Sequence, residues 1–250
     1  MMRKRQLLVL IAAVACGTTE APGPLEPSGP TGRVRFVNLI TDTTRGRVNA
    51  ILEGVAFGVN LTYGQSTPST LPAPSTANYS AILAGSRTLL LKRTADTSST
   101  VTSVSFTVTA SQDQTIYAVG GAASSAVSSI VIADDNPAVA AAQTRIRLVN
   151  MSPTAGAVDV FVTAPNADLA AATPTFTNVA NRAASTYATI NAGTYQVRVV
   201  PAGTPAAGRT AAVVINVPSL ALSGGTARTI VTADRSIGGA PLTSFVLTDR

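Results

Sequence analysis

Side chains able to do chemistry are scarce in this chain. Its 250 residues contain no His and a single Cys, Cys16. Without His, no Ser–His or Cys–His pair can activate a nucleophile, and no imidazole can hold a metal. A Ser–Lys dyad would rest on Lys92, since Lys4 falls in a basic N-terminal cluster that is expected to be removed. Lys92 stands in "LLLKRT" beside Arg93, at a strand end, where a solvated charge is expected. Hydrolysis by a carboxylate pair needs two acids facing one another. The acidic residues are scattered and no spacing marks such a pair, so a hydrolase is a distant third reading. Asp134-Asp135-Asn136 could offer oxygen ligands to calcium at an interdomain seam. No Asp-x-Asp-x-Asp-Gly loop accompanies them, and Pro137 follows, so the segment reads as a polar turn. Asp159, between Val158 and Val160, should point away from the core and pair with Arg145 or Arg147 at the surface. Gly120-Gly121 and Gly238-Gly239 have no helix after them and read as turns, not phosphate loops. The expectation is a protein that is not an enzyme and uses no metal or cofactor.

Cys16 is the exception. "MMRKRQLLVLIAAVACG" joins a basic start, Arg3-Lys4-Arg5, to an apolar run from Leu7 to Ala15 and then to the cysteine. The run is too short to span a bilayer, which takes roughly 20 apolar residues. It has the form of a removable export signal over residues 1–15. "AVAC" resembles the lipobox of bacterial lipoproteins, with Ala13 where Leu is usual. That resemblance implies a Cys16 thiolate alkylated by lipid and left as the first mature residue. An ordinary signal peptidase could also cut after Ala15, and the alternative is a secreted protein. Two or more acyl chains, at about 0.8 kcal/mol per buried methylene, hold a protein on a membrane stably. Residues 16–32 then form a tether. From Gly17 onward it carries four Pro and four Gly, too little apolar surface for a core and enough Pro for an extended spacer. By the same resemblance, Gly17 after the cysteine permits export to an outer membrane in a two-membrane organism.

Composition suits a small, densely turned β protein. Hydrophobic residues make up 46%, enough for packed cores, whereas charged residues are only 12% and aromatics 4%. Loss of Arg3, Lys4 and Arg5 lowers the net charge from +6 to +3, and the remaining Arg residues are dispersed. Nucleic acid is therefore excluded as a partner. A lone cysteine permits no intrachain disulfide.

The elements that must carry these residues appear twice. "RVRFVN" begins at Arg33 and "RIRLVN" at Arg145. In the same order, Val48–Leu52 falls against Val158–Val162, "YSAILAGSRTLLL" from Tyr79 against "YATINAGTYQVRV" from Tyr187, Thr115–Tyr117 against Thr229–Val231, and "SIVIAD" from Ser129 against "SFVLTD" from Ser244. Five matches in one order imply a duplication, with a first repeat at 33–135, a linker at 136–144 and a second repeat at 145–250.

Each copy reads as seven or eight short strands. Tyr195, Val197 and Val199 alternate with Gln196 and Arg198, placing one row in a core and the other in solvent. "AG[ST]" at Ala84-Gly85-Ser86 and Ala192-Gly193-Thr194 reads as a tight hairpin with Gly at positive φ. The fold class is all-β, two tandem Ig-like antiparallel β-sandwich domains, with small β-barrels as the alternative. In the opening strands the same alternation sends Val34, Phe36, Ile146 and Leu148 inward. It sends Arg33, Arg35, Arg145 and Arg147 outward, as a solvent row. Asn38 and Asn150 fall on the inward side at the strand ends, each expected to bond the backbone of the turn that follows. Tyr79 and Tyr187, at matching positions, are expected in the core or at a hairpin.

These motifs, together with "AVDVFV" and "PAGT" in the second copy, resemble DUF4397, a bacterial domain-of-unknown-function family. The resemblance extends over nearly all of 33–250. The second copy is the closer match, and it includes "TAPNADLAAATPTF" from Thr163, which the first lacks. It implies exported or surface proteins, often with repeated copies, and no catalytic residues. The expected protein is a lipid-anchored, non-enzymatic component of the cell envelope. Its two modules would bind or be displayed to an envelope or extracellular protein or glycan. The alternative is a purely architectural spacer.

Overall fold

The computed structural model describes residues 29–68, 78–122 and 125–250. The signal at 1–15, Cys16 and most of the tether lie outside the described residues. No helix among the described residues is long and apolar enough to cross a membrane.

The described residues are nearly all in strands, turns and loops, with a 3-10 turn at Ala206–Gly208. The first half comprises β1 (Thr31–Ile40), β2 (Val48–Leu52), β3 (Val55–Leu61), β4 (Ser80–Leu83), β5 (Gly85–Arg93), β6 (Thr100–Val108), β7 (Asp113–Gly120) and β8 (Val127–Asp134). The second comprises β9 (Gln143–Asn150), β10 (Val158–Thr163), β11 (Phe176–Val179), β12 (Ala183–Ala184), β13 (Ala188–Asn191), β14 (Gly193–Pro201), β15 (Ile215–Leu222), β16 (Thr226–Ala233) and β17 (Thr243–Thr248). Four open sheets result, and none closes into a barrel. In the first half the orders are β4-β1-β7-β8 and β3-β2-β5-β6; in the second, β12-β9-β16-β17, with β13 also on β9, and β11-β10-β14-β15. Apart from β12 the two halves correspond strand for strand. Pairing is antiparallel except for one parallel pair in each half, β1 with β7 and β9 with β16.

Each half is a sandwich with its own core. Val34, Phe36 and Ile40 of β1 pack with Ala50, Leu89 and Leu91 of the facing sheet. Ile146 and Leu148 of β9 pack in the same way with Val160, Val197 and Val199. A third apolar cluster joins the halves: Val37, Leu39, Tyr117 and Val119 from one, Val149, Met151, Val231, Ala233 and Leu247 from the other. The molecule is thus four sheets deep, and its two inner sheets meet face to face. This explains the burial of β1, which is continuous from Val34 to Ile40. A strand covered on both faces has two buried rows, whatever its alternation suggests.

The "AG[ST]" segments are not hairpins. β4 pairs with β1, whereas β5 pairs with β2 and β6, so the chain steps from one sheet to the other at Ala84-Gly85. The same step occurs at Ala192-Gly193. Gly85 has φ of 121° at this joint, but Gly193 is not among the positive-φ glycines. A single joint residue between strands in facing sheets replaces the expected two-stranded ladder.

Asn38 and Asn150 behave as expected. Asn38 Nδ2 donates to Gly46 O at 2.7 Å and Leu61 O at 3.0 Å, and its Oδ1 accepts from Ile40 N at 3.1 Å. Asn150 Nδ2 donates to Gly156 O at 2.7 Å and Val179 O at 3.0 Å, and its Oδ1 accepts from Ser152 N at 3.2 Å. Each buried amide ties its strand end to the following turn and to the edge of the opposite sheet, so its polar groups are satisfied where they are sealed from water.

Candidate functional site

The largest concentration of functional groups lies where the inner sheets meet, at the end carrying the Arg-rich starts of β1 and β9. Odd-numbered residues of both strands face the other half. Val37, Leu39, Val149 and Met151 fill the apolar part of this face, and the arginines fill the rest. Arg35 and Arg147 are each 2% exposed, so their expected place in a solvent row is corrected. The row does point away from its own core, but the partner sandwich covers it. Arg33 and Arg145, one step nearer the strand starts, reach the rim.

The two buried arginines cross over. Arg35 donates through Nη2 to Asp249 Oδ1 at 2.7 Å and through Nη1 to Thr248 O at 2.8 Å. Arg147 ion-pairs with Asp134 and donates through Nη1 to Ala133 O at 2.9 Å. Each guanidinium also engages a threonine of its own half. Arg35 bonds Thr115 Oγ1 at 3.0 Å, and Arg147 bonds Thr229 Oγ1 at 2.8 Å. Those threonines donate to the carboxylates of their own half, Thr115 to Asp134 at 2.5 Å and Thr229 to Asp249 at 2.6 Å. Two tyrosines complete the cluster. Tyr79 Oη donates to Asp134 Oδ2 at 2.8 Å, and Tyr187 Oη donates to Asp249 Oδ2 at 2.9 Å. Their rings lie 4.5 Å from the Arg35 guanidinium and 4.7 Å from that of Arg147. Tyr79 is therefore buried as expected, but in the seam between the halves and not in a sandwich core.

Charge in this cluster cancels, two arginines against two aspartates. Burial works against the Arg35 cation, but Tyr79, Asp249, Tyr117 and Asp134 around it raise its pKa above the ordinary guanidinium value. Arg147 is raised in the same way, with Asp134 the strongest favourable neighbour. Burial, only partly opposed by Arg35, lifts the Tyr79 phenol well above its ordinary value, and burial lifts Tyr187 likewise. Both phenols stay protonated and remain donors through any physiological pH. A buried ion network adds little stability over apolar packing of the same volume, but it penalises any arrangement that leaves one charge unpaired. It therefore sets how the halves dock more than how strongly.

Asn136 belongs to this site and was read only as part of a turn. Its Nδ2 donates to Asp113 Oδ2 at 2.8 Å, and its Oδ1 lies 3.4 Å from Tyr187 Oη, so one linker residue touches both halves. Asp113, paired with Arg33, was missed altogether. Arg33, Asp113, Gln112, Asp135 and Asn136 help to line an open cleft of about 640 Å³ at the rim. Asp134 does not fit a calcium site, because its oxygens are occupied by Arg147, Thr115 and Tyr79. Asp135 faces solvent and pairs with Arg145 at 2.9 Å. Asp159 pairs with neither Arg145 nor Arg147. Its carboxylate accepts from Asn178 N at 2.8 Å and Gly203 N at 3.3 Å, tying β11 and the turn after β14 to β10. Lys92 donates only to Ser98 O, at 3.4 Å, within its hairpin.

Gln196 and Arg198 depart from the expected alternation, at 7% and 8% exposed. The segment after β10 folds back over their face of the sheet, and Leu169 packs there with Phe161 and Val200. Arg198 Nη2 donates to Ala167 O at 2.6 Å and Thr163 Oγ1 at 3.0 Å. Arg209 donates to Ala172 O at 2.8 Å and lies 5.0 Å over the Phe161 ring.

Fold and site define an all-β double sandwich whose halves are joined by an apolar belt and a buried Arg–Asp–Tyr cluster. The chain belongs to the DUF4397 family, a domain of unknown function, whose profile matches residues 32–161. The match covers the first half, β9 and most of β10, a shorter span than the motif resemblance suggested. No curated protein matches the chain. Among solved structures it is similar to a leucine-rich repeat protein from Bacteroides thetaiotaomicron VPI-5482, at 13% identity and a TM-score of 0.19. That alignment covers 82% of this chain and 26% of the other, and at such a score it carries no argument.

Proposed function

We propose that this protein is an exported, lipid-anchored component of a bacterial cell envelope. Two tandem modules of the DUF4397 kind, 33–135 and 145–250, would be joined into one rigid body for non-catalytic binding or display. The observation that carries this reading is the seam. Its reciprocal Arg–Asp pairs and apolar belt suit a fixed platform and leave no titratable group poised for chemistry. Tyr79 brings Asp134 and Asp249 together, but they are only 6% and 2% exposed and are neutralised by arginines, which argues against a carboxylate-pair hydrolase. Correspondence of strand order supports the tandem reading. The basic start, short apolar run and Cys16 support export and lipidation, and Gly17 supports an outer-membrane destination. The open cleft at the rim is a concave surface at which a partner would dock.

Cys16→Ser should abolish incorporation of labelled palmitate and release the protein from the membrane fraction. Label retained in the variant would defeat the anchor. The architectural reading is favoured by the same rigidity, and it predicts that filling the cleft changes nothing. Gln112→Trp, placed in the cleft wall, should reduce capture of envelope material by the binding reading and leave it unchanged by the architectural one.

A further inference from the structure

The seam is nearly self-complementary. Matching strands place Arg35 with Arg147, Thr115 with Thr229, Asp134 with Asp249 and Tyr79 with Tyr187. Both halves therefore bring the same polar residues, as the two sides of an isologous dimer interface do. The apolar belt breaks this equivalence. Val37 lies opposite Tyr117 across the parallel ladder of the first half, and the matching pair in the second half is Val149 with Val231. One step along, Val119 matches Ala233. The cluster that joins the halves thus combines large residues of β7 with small ones of β16, all four buried. Two first halves would bring two tyrosines together, and two second halves would leave a void. Tyr117 is also 0% exposed, and its hydroxyl has no hydrogen-bond partner. A like pairing of first halves would bury two such groups, each costly.

We propose that the seam is a self-recognition surface selective for the unlike half. The inner sheet of a first half fits that of a second half, from the same chain or from a second copy of it, and discriminates against its own kind. This rests on the reading of two tandem modules. The polar residues set the angle of docking, and the size mismatch on β7 and β16 chooses the partner.

The test uses the full chain with a protease site inserted between Ala138 and Val139, in the linker. After cleavage without denaturant, the two fragments should remain a one-to-one complex at micromolar concentration in native mass spectrometry. Mixed with isotope-labelled cleaved chain, they should exchange into mixed unlike pairs, with no like pairs. Val231→Tyr should weaken the cleaved complex by about tenfold or more, because overpacking a filled core is costly. The exchange Tyr117→Val with Val231→Tyr should restore most of that loss. Folded fragments that separate, like pairs as abundant as unlike ones, or a double variant no better than Val231→Tyr would each overturn the proposal. Fragments with different strand orders by NMR would instead defeat the two-module reading and this inference with it.

Discussion

The two halves differ most on the faces turned away from the seam. In the first half the outer sheet carries Ile51 and Leu90 side by side, both partly exposed, with no covering segment among the described residues. In the second half the matching pair is Phe161 and Arg198, both buried beneath the segment that follows β10. Leu90 and Arg198 occupy equivalent positions, yet the apolar residue meets water and the charged one does not. The lesson is that alternation assigns a side chain to a face, and a distant part of the chain decides whether that face is wet. Arg198 is stabilised there by one carbonyl and a hydroxyl. It anchors the covering segment, and its methylenes add packing.

Four measurements would break or sharpen this comparison. The largest effect belongs to the seam, where the halves are alike. Arg35→Ala and Arg147→Ala should each cost about 3–5 kcal/mol in chemical denaturation, because each strands a buried carboxylate. Clearly unequal losses would show that the halves do not share the network evenly. Next, Gly64→Ala should cost about 2–4 kcal/mol, combining overpacking with a left-handed backbone. Gly64 has φ of 82°, and a Cβ there would fall 2.4 Å from Phe245 Cε1 of the other half. Gly54 has a similar φ of 83° but open space around it, so Gly54→Ala should cost only about 1–2 kcal/mol.

The third is alkaline. Tyr79 and Tyr187 have raised pKa values, burial being the main cause. Their contribution is complete below the unfolded tyrosine value near 10 and is lost as pH rises toward the folded values. Each should take away about 1.36 kcal/mol per pH unit above pH ~10. Tyr79→Phe and Tyr187→Phe should each flatten the stability–pH curve there by one proton, and an unchanged slope would refute their burial. The smallest effects test the outer faces. Arg198→Leu should cost about 1–2 kcal/mol and open residues 163–172 to limited proteolysis. Leu90→Arg should stay within about 0.5 kcal/mol, as surface changes do.

Much of the fold was legible from the chain. The repeated order of matches anticipated the corresponding strands, and the alternation of period two anticipated the all-β class and the placement of Asn38 and Asn150. The seam was not, because a periodicity of two cannot report a second layer. A signal was nonetheless present. After Arg35 the outward row continues as Val37 and Leu39, and after Arg147 as Val149 and Met151; a solvent face has no reason to turn apolar at both positions. The repetition of Arg, Tyr and Asp at matched positions pointed the same way. Asn136 and Asp113 carried no such signal, since neither is repeated and their partners are remote in sequence. The roof over Arg198 came from a segment unique to the second half, which the duplication could not anticipate.

One ladder has a mechanical consequence. β1 lies inside its sheet and pairs in parallel with β7 along eight successive residues, from Arg33 with Asp113 to Ile40 with Gly120. A pull on the chain ahead of Thr31 would run along that strand and load all of these bonds in shear at once, instead of peeling them singly from an edge. Arg35 adds a cross-tie to the far sandwich at the point where the load enters. A body held from this end would resist drag as a unit.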